Sequence, residues 1–167
     1  MKNKSTLWII MLSAIITTLA SCRRDTILPN DYSYMNFQTT CLGSSMDGTV
    51  RLQAWGTGAT RAEAIENAKR NAVRDIIFNG IKSGSSECNH NPLIYEVNAR
   101  EKYENYFNAF FVNGGAYTLY TSLASETLTS RSKAKGNVQQ NYGVVVTVNR
   151  AALQQRLIQD GVINYKN

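Results

Sequence analysis

A strand that leads directly into a helix is the feature that most limits what this chain can fold into. In residues 49–55 apolar and polar side chains alternate, as in a half-buried strand. A Gly-Thr-Gly-Ala sequence at 56–59 predicts a tight turn. Thr60 and Glu63 then form the capping box of a helix that we expect to end near Phe78. The chain therefore requires a sheet against which this helix can pack.

Small residues on the helix determine how closely it can approach that sheet. Ala64, Ala68 and Ala72 recur at four-residue steps, so they share one face of the helix. Because these side chains are short, the helix axis can lie close to the strands. Gly80 is placed to end the helix.

The second half of the chain predicts further elements of both kinds. We expect a helix over residues 98–112, a strand over 116–123 and a strongly alternating strand over 142–148. Asn149 can cap a last helix over 150–160. This order predicts an α+β domain in which helices cover one face of a small, largely antiparallel sheet.

The 98–112 helix carries an aromatic stripe, which is typical of a core face and is also found at partner surfaces. Its members are Tyr103, Tyr106, Phe107, Phe110 and Phe111. Tyr106 lies towards the edge of the stripe, and Tyr95 lies outside the helix. We therefore predict that Tyr95 and Tyr106 contact another subunit, and that replacing both with alanine costs little fold stability.

The N-terminal segment has the order of a secretory signal. Lys2 and Lys4 give a basic start, residues 7–19 form an apolar run, and small residues follow before a single cysteine, Cys22. The run is too short for a membrane span of about 20 residues. An ordinary cleaved signal and an uncleaved N-terminal anchor are the alternatives.

The sequence Leu19-Ala20-Ser21-Cys22 resembles the lipobox of bacterial lipoproteins. The resemblance implies that residues 1–21 are a signal peptide, that Cys22 carries the lipid, and that residues 22–30 are a tether. The lipoprotein sorting rule implies the outer membrane, because the residue after the cysteine is Arg23 rather than aspartate. Since no acidic run follows the cysteine, we expect the domain, residues 31–167, to face the periplasm.

Two cysteines remain, Cys41 and Cys88, and an oxidising compartment favours a disulfide between them. Two buried thiols are the alternative. His90 is the only histidine of the chain, so these residues do not make a tetrahedral metal site. The sequence predicts no cofactor and no catalytic set, because acids do not cluster and no dinucleotide fingerprint is complete.

Charge does not point to nucleic acid as a partner. The chain has 18 Lys and Arg against 12 Asp and Glu, a net charge of +6, and the basic residues are scattered. A nucleic-acid-binding protein would concentrate them in one patch.

Residues 50–81 resemble a family of small bacterial envelope domains that includes the N-terminal domain of the flagellar outer-membrane protein T. The residues that carry the resemblance are Gly56, Gly58, Glu63, Ala64, Ala68 and Ala72. Residues 82–115 form an insert that has no counterpart in that family of domains. With its leader, the chain is also similar to the small lipoprotein subunits of trans-envelope machines, such as the Q lipoprotein of type VI secretion membrane complexes.

These resemblances imply a structural or assembly subunit of an envelope machine, with the membrane and other envelope-complex proteins as partners. They do not imply an enzyme. The alternative is a periplasmic binding module for a small ligand or a cell-wall glycan, which would use the tyrosine-rich surface.

Overall fold

The computed structural model describes residues 38–124, 130–132 and 140–163, which belong to one compact unit, Asn36–Asn167. Its strands are β1 (Thr40–Ser44), β2 (Thr49–Gly58), β3 (Ser83–Gly84), β4 (Thr121–Leu123), β5 (Ser130–Ser132) and β6 (Gln140–Asn149). Its α-helices are α1 (Arg61–Arg74), α2 (Ala99–Lys102), α3 (Glu104–Phe110) and α4 (Arg150–Gln159). The signal peptide, the tether and Cys22 lie outside the described residues.

The strands form one sheet in the order β3-β1-β2-β6-β4, with β5 beside β4 along the same edge of β6. All pairs are antiparallel except β1 with β3. Leu52 pairs with Val146 at the centre of the longest ladder, and both side chains are fully buried. Together with the helices, this sheet confirms the predicted α+β class.

The two glycines of the predicted turn instead lie inside β2, which continues to Gly58. The reason is the closeness of α1. A Cβ at Gly56 would overlap the Ala64 carbonyl oxygen and the Ala68 amide nitrogen, and a Cβ at Gly58 would lie 2.6 Å from the Ala64 nitrogen. The glycines therefore serve close packing between strand and helix, and the alanines opposite them are fully buried, as predicted.

Both ends of α1 follow the sequence. The Glu63 amide donates to the Thr60 hydroxyl at 3.2 Å, while the Glu63 carboxylate accepts from the Ala59 amide at 2.9 Å. The helix continues as a π-helical turn over Asp75–Asn79 and stops at Gly80, whose φ is 69°. The wider turn leaves backbone carbonyls free for partners outside the helix.

Two predictions in the second half of the chain need correction. The helix expected over 98–112 is divided at Tyr103, where φ −113° and ψ 31° bend the chain between α2 and α3. The segment expected as a strand over 116–123 begins as a 3₁₀ turn, Ala116–Tyr120. Only Tyr117 and Thr121 are buried there, whereas Leu119, which an alternating strand would place on the same face as both, is 77% exposed.

The 3₁₀ turn is fixed to α1 through Tyr117. Its hydroxyl donates to the Glu66 carboxylate, which also binds Lys69 at 2.9 Å, and the Arg70 guanidinium lies 5.4 Å from the Tyr117 ring centre. Burial opposes ionisation of Glu66, but these donors and the nearby cations outweigh it and lower its pKa. Ionised Glu66 thus stabilises the contact between the two elements.

We expect this contact to make stability sensitive to acid. Because the folded-state pKa of Glu66 lies below its ordinary value of 4.5, its contribution is present above that pH and is lost as pH falls through the lower folded value. Urea melts of wild type and Glu66→Gln between pH 7 and 3 should differ most near neutrality and converge in acid. Two curves that stay parallel down to pH 3 would contradict this assignment.

Candidate functional site

Three segments that are distant in sequence meet at one end of the domain, and we call the surface they form the end face. They are the β1–β2 turn at residues 45–48, the insert loop at 85–97, and the β6–α4 corner at 149–151. The Arg150 and Ala151 amides donate to the Gly48 carbonyl at 3.1 and 3.3 Å. This backbone contact joins the turn to the corner.

The insert loop has little regular structure and is held by contacts from its surroundings. The Ser44 hydroxyl donates to the Glu87 carbonyl at 3.0 Å. The Leu93 and Ile94 amides donate at 2.9 Å to the carbonyls of Ile76 and Ile77, which belong to the π-helical turn of α1. The loop is thereby attached both to β1 and to the π-helical turn.

A covalent link completes the attachment of the loop. Cys41 of β1 and Cys88 form a disulfide, with Cα atoms 6.4 Å apart, as the sequence predicted. Nearby, the Nδ1 atom of His90 lies 2.5 Å from the Ile81 carbonyl oxygen, and because a carbonyl can only accept, Nδ1 is the donor of this bond. Cys88 and His90 both therefore have structural partners.

Large apolar side chains protrude from the end face. Met46 is fully exposed at the tip of the β1–β2 turn, while Tyr95 is 71% and Val97 is 95% exposed on the insert loop. Single exposed apolar residues are common, but three on adjoining loops are the kind of surface that a partner covers. The structure thus places Tyr95 at a surface that suits its predicted role in partner contact.

Arg150 joins the three segments of the end face, because its amide contacts the β1–β2 turn and its side chain contacts the insert loop. One guanidinium nitrogen donates to the Asn91 carbonyl at 3.0 Å, and burial lowers the pKa of the side chain, an effect that the nearby Tyr95 partly opposes. Two acids of the end face have other partners. Asp47 accepts from the Thr49 amide at 3.0 Å, and Glu96 binds Lys102 at 2.9 Å. Within the described ranges, no carboxylate pairs with Arg150.

Tyr106 lies in a different environment from Tyr95. Its hydroxyl donates to Asp160 at 2.7 Å, and its ring stacks 5.8 Å from that of Phe110. Burial, and then the bond to Asp160, raise the pKa of Tyr106. Replacing Tyr106 with alanine would therefore destabilise the fold, contrary to the expected small cost, while its contact with a partner stays a prediction.

The two tyrosines also lie near opposite ends of α4. Tyr95 is beside Arg150 at the start of this ten-residue helix, and Tyr106 binds Asp160 just after its end. A helix of that length spans about 15 Å. The structure therefore does not bring the two predicted partner residues into one cluster.

Sequence reasoning missed Met46, Val97 and Arg150. The Asp47-Gly48 pair is a hairpin signal, and it could have placed Met46 at an exposed tip. Nothing local in the sequence indicates that Arg150 meets the insert loop, because that contact joins residues 59 positions apart.

The rest of the predicted aromatic stripe has become core, where Phe107 and Phe110 are buried. The described residues contain no group of three or more His, Cys, Asp or Glu side chains placed to hold a metal ion. Within the same ranges, no helix combines the length and the apolar composition that crossing a membrane requires.

Comparisons with protein-family models, curated proteins and solved structures find no match to this chain.

Proposed function

We propose that this chain is an outer-membrane lipoprotein, anchored through Cys22 and facing the periplasm, that acts as a docking subunit of a larger envelope assembly. The observation that carries the proposal is the sequence Leu19-Ala20-Ser21-Cys22 after a basic start and a short apolar run. The exposed apolar residues of the end face support the docking role, because they form a surface suited to a protein partner.

Anchoring and docking would work together. Each buried methylene of an acyl chain contributes about 0.8 kcal/mol, so two or more chains hold a protein stably at a membrane. A domain held there by a short tether presents its end face at a high effective concentration to partners near the same membrane. A subunit of this kind needs a rigid docking surface rather than a catalytic centre. A type VI secretion membrane complex is the kind of assembly to which it would belong.

The docking role predicts a loss of assembly when the protruding residues are removed. In the double variant Tyr95→Ala, Val97→Ser, we expect capture of partner proteins from detergent-solubilised membranes to fall about 30-fold or more, since a hot-spot residue contributes about 2 kcal/mol or more. The free energy of unfolding should change by no more than about 0.5 kcal/mol, because both side chains are exposed.

A matched control uses exposed apolar residues elsewhere on the domain. Val112 and Leu119 are 57% and 77% exposed and lie around the 3₁₀ turn, outside the end face. The double variant Val112→Ser, Leu119→Ser should leave both capture and stability unchanged. If the control abolishes capture and the end-face variant does not, docking occurs through a different surface and the proposal is wrong in that part.

A further inference from the structure

Arg150 of the end face has hydrogen-bonding capacity that the described residues of its own domain do not use. Its guanidinium is partly buried and makes one hydrogen bond to the residues that the structure describes, with the Asn91 carbonyl, although a guanidinium has five N–H donors. No carboxylate among the described residues pairs with it. A cation that is partly removed from water without a counter-ion is costly unless an anion arrives from outside.

We infer that the partner docked on the end face presents a carboxylate to Arg150, flanked by apolar groups that cover Tyr95 and Met46. The inference rests on the proposed docking function and names the chemistry of its partner. Arginine binds carboxylates in a planar, two-bond geometry, which adds direction to the attraction. Arginine and tyrosine are also the residue types most enriched among binding hot spots.

The charges of the end face favour a single protein carboxylate over a phosphate or an anionic bilayer. Asp47, Glu87 and Glu96 all belong to the same surface, and only Glu96 has a described cation, Lys102, as its partner. A doubly charged phosphate, or a bilayer with many negative headgroups, would meet these acids as well as Arg150. One carboxylate with apolar neighbours satisfies Arg150 and avoids most of that repulsion.

The test introduces a photo-crosslinking amino acid, benzoylphenylalanine, at Val97 in the full-length chain in its native membrane. This position is almost fully exposed, and it lies two residues from Tyr95, whose side chain interacts electrostatically with Arg150. The yield of the protein adduct is compared between wild-type Arg150, Arg150→Lys and Arg150→Gln. Arg156→Gln is the matched control, because Arg156 is an exposed arginine of the same helix that pairs with Asp160 at 2.6 Å.

We expect Arg150→Gln to reduce the adduct about 10-fold or more, Arg150→Lys to retain a larger share, and Arg156→Gln to have no effect. The wild-type yield should fall as salt is raised, and the Arg150→Gln yield should not. Mass spectrometry of the adduct should place an Asp, a Glu or a chain-terminal carboxylate of the partner within a few residues of the crosslink. Thermal melts show whether each variant is folded.

Other outcomes separate the inference from the proposal beneath it. Equal adduct yields in all folded Arg150 variants would overturn the carboxylate inference and leave docking in place. An adduct with lipid, or one with the mass of two copies of this chain and no acidic residue at the crosslink, would also overturn it. If no adduct forms from the wild-type position, docking through the end face is itself contradicted.

Discussion

Replacing Gly56 with alanine is expected to cost about 3 kcal/mol or more of unfolding free energy and to leave little folded protein. The added Cβ would overlap backbone atoms of Ala64 and Ala68 in α1. Overpacking of a core usually costs about 1–3 kcal/mol, and backbone cannot rotate away as a side chain can. Urea unfolding followed by circular dichroism measures the effect, with loss of soluble expression as the extreme outcome.

Gly114→Ala is the matched control for that substitution. It adds the same methyl group at a site where no heavy atom lies within 4 Å, so its cost is limited to the strain of a φ of 71°. That strain is about 1 kcal/mol. If Gly56→Ala costs no more than Gly114→Ala, then α1 does not lie close enough to β2 to require glycine at position 56.

Removing the disulfide should have the next largest effect on stability. Cys41 and Cys88 are separated by 47 residues, and the chain-entropy model assigns a closed loop of that size about 4 kcal/mol. We expect the double variant Cys41→Ala, Cys88→Ala to lose about 3–4 kcal/mol of unfolding free energy in urea melts. Both cysteines are buried, so the packing contacts of the two sulfur atoms are lost as well and add to this cost.

Chemical labelling provides the control for the disulfide. In unreduced protein, alkylation of the native state and of the urea-unfolded state should label neither Cys41 nor Cys88, whereas both should react after reduction. A variant that lacks only Cys22 should behave like wild type in the melt, because Cys22 takes no part in this bond. Labelling of Cys41 and Cys88 without reductant would show two free thiols and contradict the disulfide.

Local patterns predicted the elements that the sheet and α1 require. The alternation in β2, the β6 strand, the Thr60–Glu63 cap and the Gly80 stop all appear where the sequence places them, although Val144 and Val145 are both buried, so the middle of β6 is covered on both faces. The Gly56-Thr57-Gly58 sequence was interpreted as a turn because glycine is the usual turn residue. Its actual role, room for a helix, depends on a contact between elements that no local pattern shows.

The end face was also hard to predict from the sequence, because it too depends on contacts between distant segments. Its protruding residues, Met46 and Tyr95, and its cation, Arg150, come from three separate parts of the chain. They meet only after β2 and β6 pair and the insert loop attaches to the end of α1. Tyr95 was predicted because it lies outside a helix, whereas the bond between Tyr106 and Asp160 could not be foreseen from its helical position.

The proposed function depends on lipidation of Cys22, which the intact mass of the protein isolated from membranes can test. We expect a polypeptide that begins at Cys22 and exceeds its calculated mass by a diacylglycerol with or without an additional acyl chain. Cys22→Ala should yield no lipidated form and no stable outer-membrane attachment. A wild-type protein that retains residues 1–21, or that begins at another residue without lipid, would contradict the proposal.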